Sequence, residues 1–202
     1  MQKQYSQAPL PFMGQKRMFA KQFRQVLKQF DEDTVFVDLF GGSGLLSHIA
    51  KHENQNATVV YNDYDNYRKR LENMPKTNAL LSDLRLIVDG YQRQKQLPEN
   101  VKNIILERVA QEEQTGFVDY ITLSSSLLFS MKYILTHQDL SKERFYNTVR
   151  KTDYTCDGYL AGLVIESSDY KEVFQKYKDI PNVVFLIDPP YLCTEVGMYN
   201  MS

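Results

Sequence analysis

The chain moves between two hydrophobic rhythms. Over residues 16–30 (KRMFAKQFRQVLKQF), Phe19, Phe23, Val26, Leu27 and Phe30 fall on one stripe, while Lys16, Arg17, Lys21, Arg24 and Lys28 lie mostly elsewhere. That spacing predicts an amphipathic helix, which the acidic turn Asp31-Glu32-Asp33 ends. Thr34 to Phe40 (TVFVDLF) is β-branched and aromatic and predicts a buried strand. Gly41-Gly42-Ser43-Gly44 follows at once, and Leu45 to Lys51 predicts a helix. Ala57 to Tyr61 (ATVVY) predicts a second strand, closed by Asn62-Asp63. A strand, a helix and a strand within 34–63 imply a parallel sheet with a right-handed crossover.

Residues 66–160 lose the strand rhythm. Helices are predicted over 78–93, 99–114, 119–136 and 141–150, with apolar members such as Leu80, Leu84, Ile105, Val109, Leu127 and Ile134 forming a separate core. The α/β pattern then resumes with a strand at Leu163–Glu166, a helix at Tyr170–Tyr177 and a strand at Val183–Ile187 (VVFLI). The last strand is wholly apolar and is expected to be buried on both faces. The reading is an α/β fold in which 1–65 and 161–202 build one discontinuous domain and 66–160 is a helical insertion.

Composition narrows the function. With 202 residues and 43% hydrophobic positions, the chain suffices for a real core plus a small lobe, and whole-chain disorder is excluded. A net charge of −1 gives no global pull toward nucleic acid, so any such surface must be local. No apolar run nears the roughly 18 residues of a membrane span, and the N-terminal MQKQYSQAPLPF lacks the apolar stretch of a secretory signal. Cys156 and Cys193 read as reduced thiols, and a cytoplasmic setting is expected. His48, His52 and His137 lack metal-ligand spacing; His48 and His52 read as ordinary helix residues, and no metal is expected.

Two constellations carry chemistry. Asp38-Leu39-Phe40-Gly41-Gly42-Ser43-Gly44 joins a strand to a helix, where open parallel sheets bind ligands and where glycine allows close backbone approach. Asp63 ends the next strand and can either accept the hydroxyls of a ribose or cap the helix that follows. Asp188-Pro189-Pro190-Tyr191 follows the last strand. The Asp188 carboxylate and the Pro189 carbonyl are stiffly held acceptors suited to an amino group, and Tyr191 offers a stacking face.

In that order these motifs resemble the Dam-type N6-adenine DNA methyltransferases, the D12 class. Phe12-Met13-Gly14-Gln15-Lys16 matches the N-terminal motif; Asp38, Phe40, Gly42 and Gly44 match the cofactor motif; Asp63, Asp169-Tyr170 and residues 188–191 match the rest. The resemblance implies a Rossmann-like methyltransferase sheet with a target-recognition insertion, and S-adenosylmethionine as methyl donor. Lys16 and the glycine turn would hold the methionine end, Asp63 the ribose, and Asp169 with Tyr170 the adenine, while Phe12 shapes the pocket. Asp188, Pro189, Pro190 and Tyr191 would bind an adenine flipped out of double-stranded DNA. DNA contacts are expected from Lys142, Arg144, Tyr146, Arg150 and Lys151, with Asn147 and Tyr154 interleaved, or from Arg68, Lys69 and Arg70. A bacterial or phage origin, no membrane partner and a cognate restriction endonuclease encoded nearby complete the expectation. Two alternatives stay open: N4-cytosine methylation, and a truncated, non-catalytic fragment whose sheet stops at 183–187, since only eleven residues follow Tyr191.

Overall fold

The computed structural model describes residues 3–129 and 132–189. Two compact units form, one from 1–69 with 156–202 and one from 70–155.

The first unit is built on a four-stranded, all-parallel sheet. Its strands are β1 (Val35–Asp38), β2 (Thr58–Asn62), β3 (Val164–Glu166) and β4 (Val183–Leu186), in the order β3-β2-β1-β4. Side chains alternate across it, as strand geometry requires. Phe36, Val59, Val184 and Leu186 face the helices α1 (Ala20–Leu27) and α2 (Leu45–Glu53), where Leu27, Leu45 and Ile49 complete one core. Val37, Val60, Val183 and Phe185 face the other way and pack with Val173 and Tyr177 of α8 (Tyr170–Tyr177). A short 3-10 turn, Arg17–Phe19, leads into α1.

The order has a consequence for binding. The chain winds outward from β1 to β2 to β3, then returns to place β4 on the opposite side of β1. The carboxyl ends of β1 and β4 therefore flank the reversal point, where a crevice forms in open α/β sheets. The expectation of a strand buried on both faces at 183–187 is corrected: every residue of β4 is only half-buried, and Ile187 beyond it is 66% exposed. Apolar composition misled because β4 lies at the sheet's edge among the described residues, where one flank lacks a neighbour.

The second unit is helical. It receives the chain through α3 (Tyr67–Glu72) and contains α4 (Met74–Ile87), α5 (Glu99–Gln114), α6 (Tyr120–Leu127) and α7 (His137–Ser141). Leu81, Leu84, Ile105, Val109, Leu123, Leu127 and Phe145 are buried in its own core. The helix expected over 119–136 is shorter, ending at Leu127, and the helix expected over 141–150 is absent. In its place an extended segment carries Tyr146 opposite Gln96, and Asn147 donates from Nδ2 to the carbonyls of Val88 (3.4 Å) and Tyr91 (2.6 Å). A buried amide satisfied by the ends of other segments holds the backbone straight where helix propensity alone would coil it.

Candidate functional site

The glycine turn sits at the end of β1 and is shaped by a neighbouring ring. A Cβ on Gly41 would stand 2.3 Å from the Tyr61 ring, so only glycine fits. Gly44 takes a left-handed φ of 73° and caps α2. Two phenols tie the turn's carbonyls inward. Tyr61 shares its hydroxyl proton between the Gly42 carbonyl (2.8 Å) and Asp63 Oδ1 (2.9 Å), and Tyr159 donates to the Ser43 carbonyl at 3.0 Å. Burial pushes both phenols above their usual range, so they remain donors.

Tyr159 is in turn fixed by His48. The His48 ring stacks on it at 4.8 Å and donates from Nδ1 to the Tyr159 carbonyl at 2.8 Å. Its Nε2 accepts the Tyr5 backbone N–H at 3.0 Å. These partners, an amide donor and a carbonyl acceptor, dictate a neutral imidazole protonated at Nδ1, and burial holds its pKa below the ordinary value. His48 is therefore more than an ordinary helix residue: it joins the N-terminal segment to the turn.

Asp38 closes β1 beneath that turn. Its side chain accepts the Ser47 hydroxyl through Oδ2 at 2.7 Å, while Oδ1 is buried with no hydrogen-bond partner. Burial raises its pKa to about 7 against the pull of the Ser47 hydroxyl and, more weakly, of the Phe40 and Ser47 backbone amides, and the negative charge of Asp188 adds to the rise. Across the reversal point, Asp188 follows β4 and meets Lys16 Nζ at 2.8 Å. Lys16 also donates to the Gly14 carbonyl at 3.3 Å. Phe12 stands edge-on to Tyr67 at 5.6 Å, and its ring lies 3.1 Å from where a Cβ on Gly42 would be. Lys16, which the motif assigned to the cofactor's methionine end, is thus in contact with the candidate catalytic carboxylate. Pro189 is exposed, and Pro190 and Tyr191 lie outside the described residues.

Asp63 is buried and uses both oxygens within the protein. Oδ1 accepts the Tyr67 N–H at 2.6 Å and Oδ2 the Arg68 N–H at 3.0 Å, which caps α3. Asp65 two residues on is half-buried, its pKa raised by burial and by Asp63, and no described side chain or amide donates to it. Sequence reasoning passed over Asp65, although the second acid of Asp63-Tyr64-Asp65 was in plain view. Asn62 was also missed. Its side-chain amide donates to the carbonyls of Leu39 (3.0 Å) and Ser168 (2.9 Å), and its Oδ1 accepts the Ser168 N–H at 3.1 Å. It therefore braces the ends of β1, β2 and β3 together. Asp169 caps α8 by accepting the Lys171 N–H at 2.8 Å. Tyr170, 41% exposed, packs on Phe40 with ring centroids 4.9 Å apart. The two rings make a partly open aromatic wall beside the turn.

Of the predicted DNA-contacting residues, Lys142, Arg144, Tyr146, Arg150 and Lys151 lie in the helical unit, while Arg68 and Lys69 are exposed in the α/β unit. Lys142 pairs with Asp139 at 2.8 Å, Arg150 lies over the Tyr154 ring at 4.6 Å, and Arg144 and Lys151 are exposed. Tyr146 is half-buried and edge-on to the exposed Phe129 at 4.6 Å. Two candidates are corrected. Asn147 is buried as a structural brace. Arg70 is buried against Asp119, its Nε 3.1 Å from both carboxylate oxygens. Among the described residues no group of three or more His, Cys, Asp or Glu side chains is arranged for a metal ion, and no helix is long and apolar enough to cross a membrane.

Comparison with known proteins bears on this geometry. A family model described as D12 class N6 adenine-specific DNA methyltransferase matches residues 12–202. A Haemophilus influenzae protein named "Putative methyltransferase" is 39% identical over 206 residues, covering 99% of this chain and 69% of its own length. No solved structure matches the chain.

Proposed function

The chain belongs to the D12 class of N6-adenine-specific DNA methyltransferases, and from that premise we propose that it methylates the N6 amine of an adenine flipped out of double-stranded DNA, with S-adenosylmethionine as donor. The observation that carries the reading is the juxtaposition at the strand reversal. A buried carboxylate with an unpartnered oxygen, Asp38, stands near a second carboxylate, Asp188, that Lys16 holds at the end of β4.

The residues present fit the donor. Its cationic methionine end matches the unpartnered Oδ1 of Asp38, its ribose hydroxyls match the Asp63–Asp65 pair, with Asp65 supplying free oxygens, and its adenine matches the Phe40–Tyr170 wall and the Asp169 carboxylate. When bound, the donor supplies a methyl group on a positively charged sulfur. The chain's own task is to orient the acceptor amine. Asp188 and the Pro189 carbonyl accept its two N–H bonds, which turns the nitrogen lone pair out of conjugation and toward the methyl carbon. The donor's sulfur would keep the bonding pair as its methyl group passes to the amine nitrogen, and Asp188 would take up the proton that the amine then carries in excess. Positioning supplies much of the rate. Base extrusion costs a few kcal/mol, which stacking on Tyr191 offsets in part. The helical unit is proposed as the target-recognition part, contacting DNA through Arg144, Tyr146, Lys151 and the neighbouring Lys142 and Arg150. Such an enzyme works in a bacterial or phage-infected cytoplasm, and a cognate restriction endonuclease is the partner its methylation would guard against.

The test is tritium transfer from labelled donor to defined duplexes, with calorimetry for the donor. Asp188→Ala is expected to lose transfer by about a hundredfold or more while keeping donor affinity. Near-normal turnover in that variant overturns the assignment.

A further inference from the structure

The segment 16–30 holds five cations, Lys16, Arg17, Lys21, Arg24 and Lys28, and no acid, in a chain whose net charge is −1. The structure divides them by task. Lys16 is engaged with Asp188, and Arg24 with Glu53 at 2.7 Å and with the Tyr5 carbonyl at 3.4 Å. Arg17, Lys21 and Lys28 are exposed, and none makes an ion pair among the described residues. Lys21 and Lys28 are seven residues apart, which on helical spacing puts them on one flank of α1, and Arg17 stands in the 3-10 turn that leads into that helix. In the acidic turn beyond, Glu32 accepts from Asn56 at 2.8 Å and Asp33 from Asn182 at 2.7 Å, and among the described residues none of Asp31, Glu32 and Asp33 forms an ion pair with these cations. At the other end the stripe begins one residue from Lys16, hence beside the candidate catalytic Asp188.

We propose that Arg17, Lys21 and Lys28 form a phosphate-contact surface on the α/β unit, gripping the backbone of duplex DNA without reading its sequence. The inference rests on the DNA-methylating reading above and names the strand-holding part of that same site. At about 2.0 Å per residue through the 3-10 turn and about 1.5 Å per residue beyond it, the three cations span about 18 Å, close to five base-pair steps of about 3.4 Å. Such a grip would make binding partly independent of the helical unit.

The experiment uses the whole chain and a fluorescein-labelled duplex of mixed sequence. Anisotropy is measured from about 50 to 200 mM salt. Exchanging all three cations, Arg17→Gln, Lys21→Gln and Lys28→Gln, is expected to flatten the slope of log affinity against log salt by 2 to 3, at about 0.9 per phosphate lost, and to weaken binding about 100-fold near 0.1 M. The KM for DNA rises in parallel, while kcat at saturating DNA and calorimetric donor affinity hold. Arg24→Gln serves as the contrast, lowering thermal stability without changing the slope. An unchanged slope overturns the proposal, as does a wild-type chain that binds no duplex, or a variant that loses kcat and keeps its slope. A wild-type chain that binds DNA through the stripe but transfers no methyl group would instead defeat the catalytic reading and leave the surface standing.

Discussion

Two buried carboxylates, one in each unit, sit at opposite extremes of satisfaction. Asp119 in the helical unit is 4% exposed, receives Arg70 on both oxygens, and accepts the Thr122 N–H and hydroxyl at 3.1 and 2.7 Å. Asp38 in the α/β unit is 1% exposed and keeps one oxygen without a partner. A buried charge with incomplete compensation is costly, and it persists where something outside the chain completes it. On the proposed reading, the difference separates a carboxylate that holds a fold from one that a bound donor would complete.

Four experiments press on that contrast, beginning with the largest effect. Gly41→Ala would drive a methyl into the Tyr61 ring and is expected to cost more than about 4 kcal/mol and abolish donor binding, whereas Gly90→Ala, with open space around it, should cost only about 1–2 kcal/mol. Equal melting-point losses in the two variants would remove the turn's special status. Arg70→Ala strands the Asp119 charge and should cost about 3–5 kcal/mol by urea denaturation. Donor affinity measured below the transition should not change.

Asp38→Asn should act in the reverse sense, raising the melting temperature while weakening donor binding. The sign follows from linkage. A carboxyl raised from 3.8 to about 7 loses stability as pH climbs from 4 through 7, so the variant's gain is greatest at pH 8 and shrinks toward pH 4. Wild-type donor affinity should rise with pH across 7, since a cation favours the ionised form, and the variant should show a flat profile by calorimetry. The smallest effect belongs to the His48–Tyr159 brace. Tyr159→Phe loses the Ser43 contact and about 1 kcal/mol. His48, with a lowered pKa, keeps its contribution above the unfolded value near 6.5 and loses it as pH falls below. Chemical denaturation between pH 7.5 and 5 should show this decline, and His48→Asn should abolish it.

The α/β unit was more legible than the helical one. Strands β1 and β2 and the glycine turn after β1 are where the sequence placed them, with β1 shorter than the expected 34–40 and β2 displaced by one residue, because hydrophobic runs punctuated by glycine leave few other folds. The extended segment at 144–150 was read as a helix, yet its burial follows a period of two: Phe145, Asn147 and Val149 point inward between exposed or half-exposed neighbours. That alternation was available in the sequence; the polar Asn147 at an inward position hid it. The roles of Tyr61, Asn62 and Tyr159 were not legible, since each depends on a carbonyl presented by another segment. The same holds for Lys16, whose contact with Asp188 joins opposite ends of the chain.

The strand order also sets a timetable. β1 pairs with β2 across a short connection, but its other flank is completed by β4, about 150 residues later in the chain. Synthesis at about 5–20 residues per second leaves that flank open for about 7 to 30 seconds, and closing so long a loop slows the final step further. During that interval the hydrogen-bonding edge of β1 is open to misassembly. The late arrival of β4 brings Asp188 with it, so the two carboxylates meet only when the nascent fold locks shut.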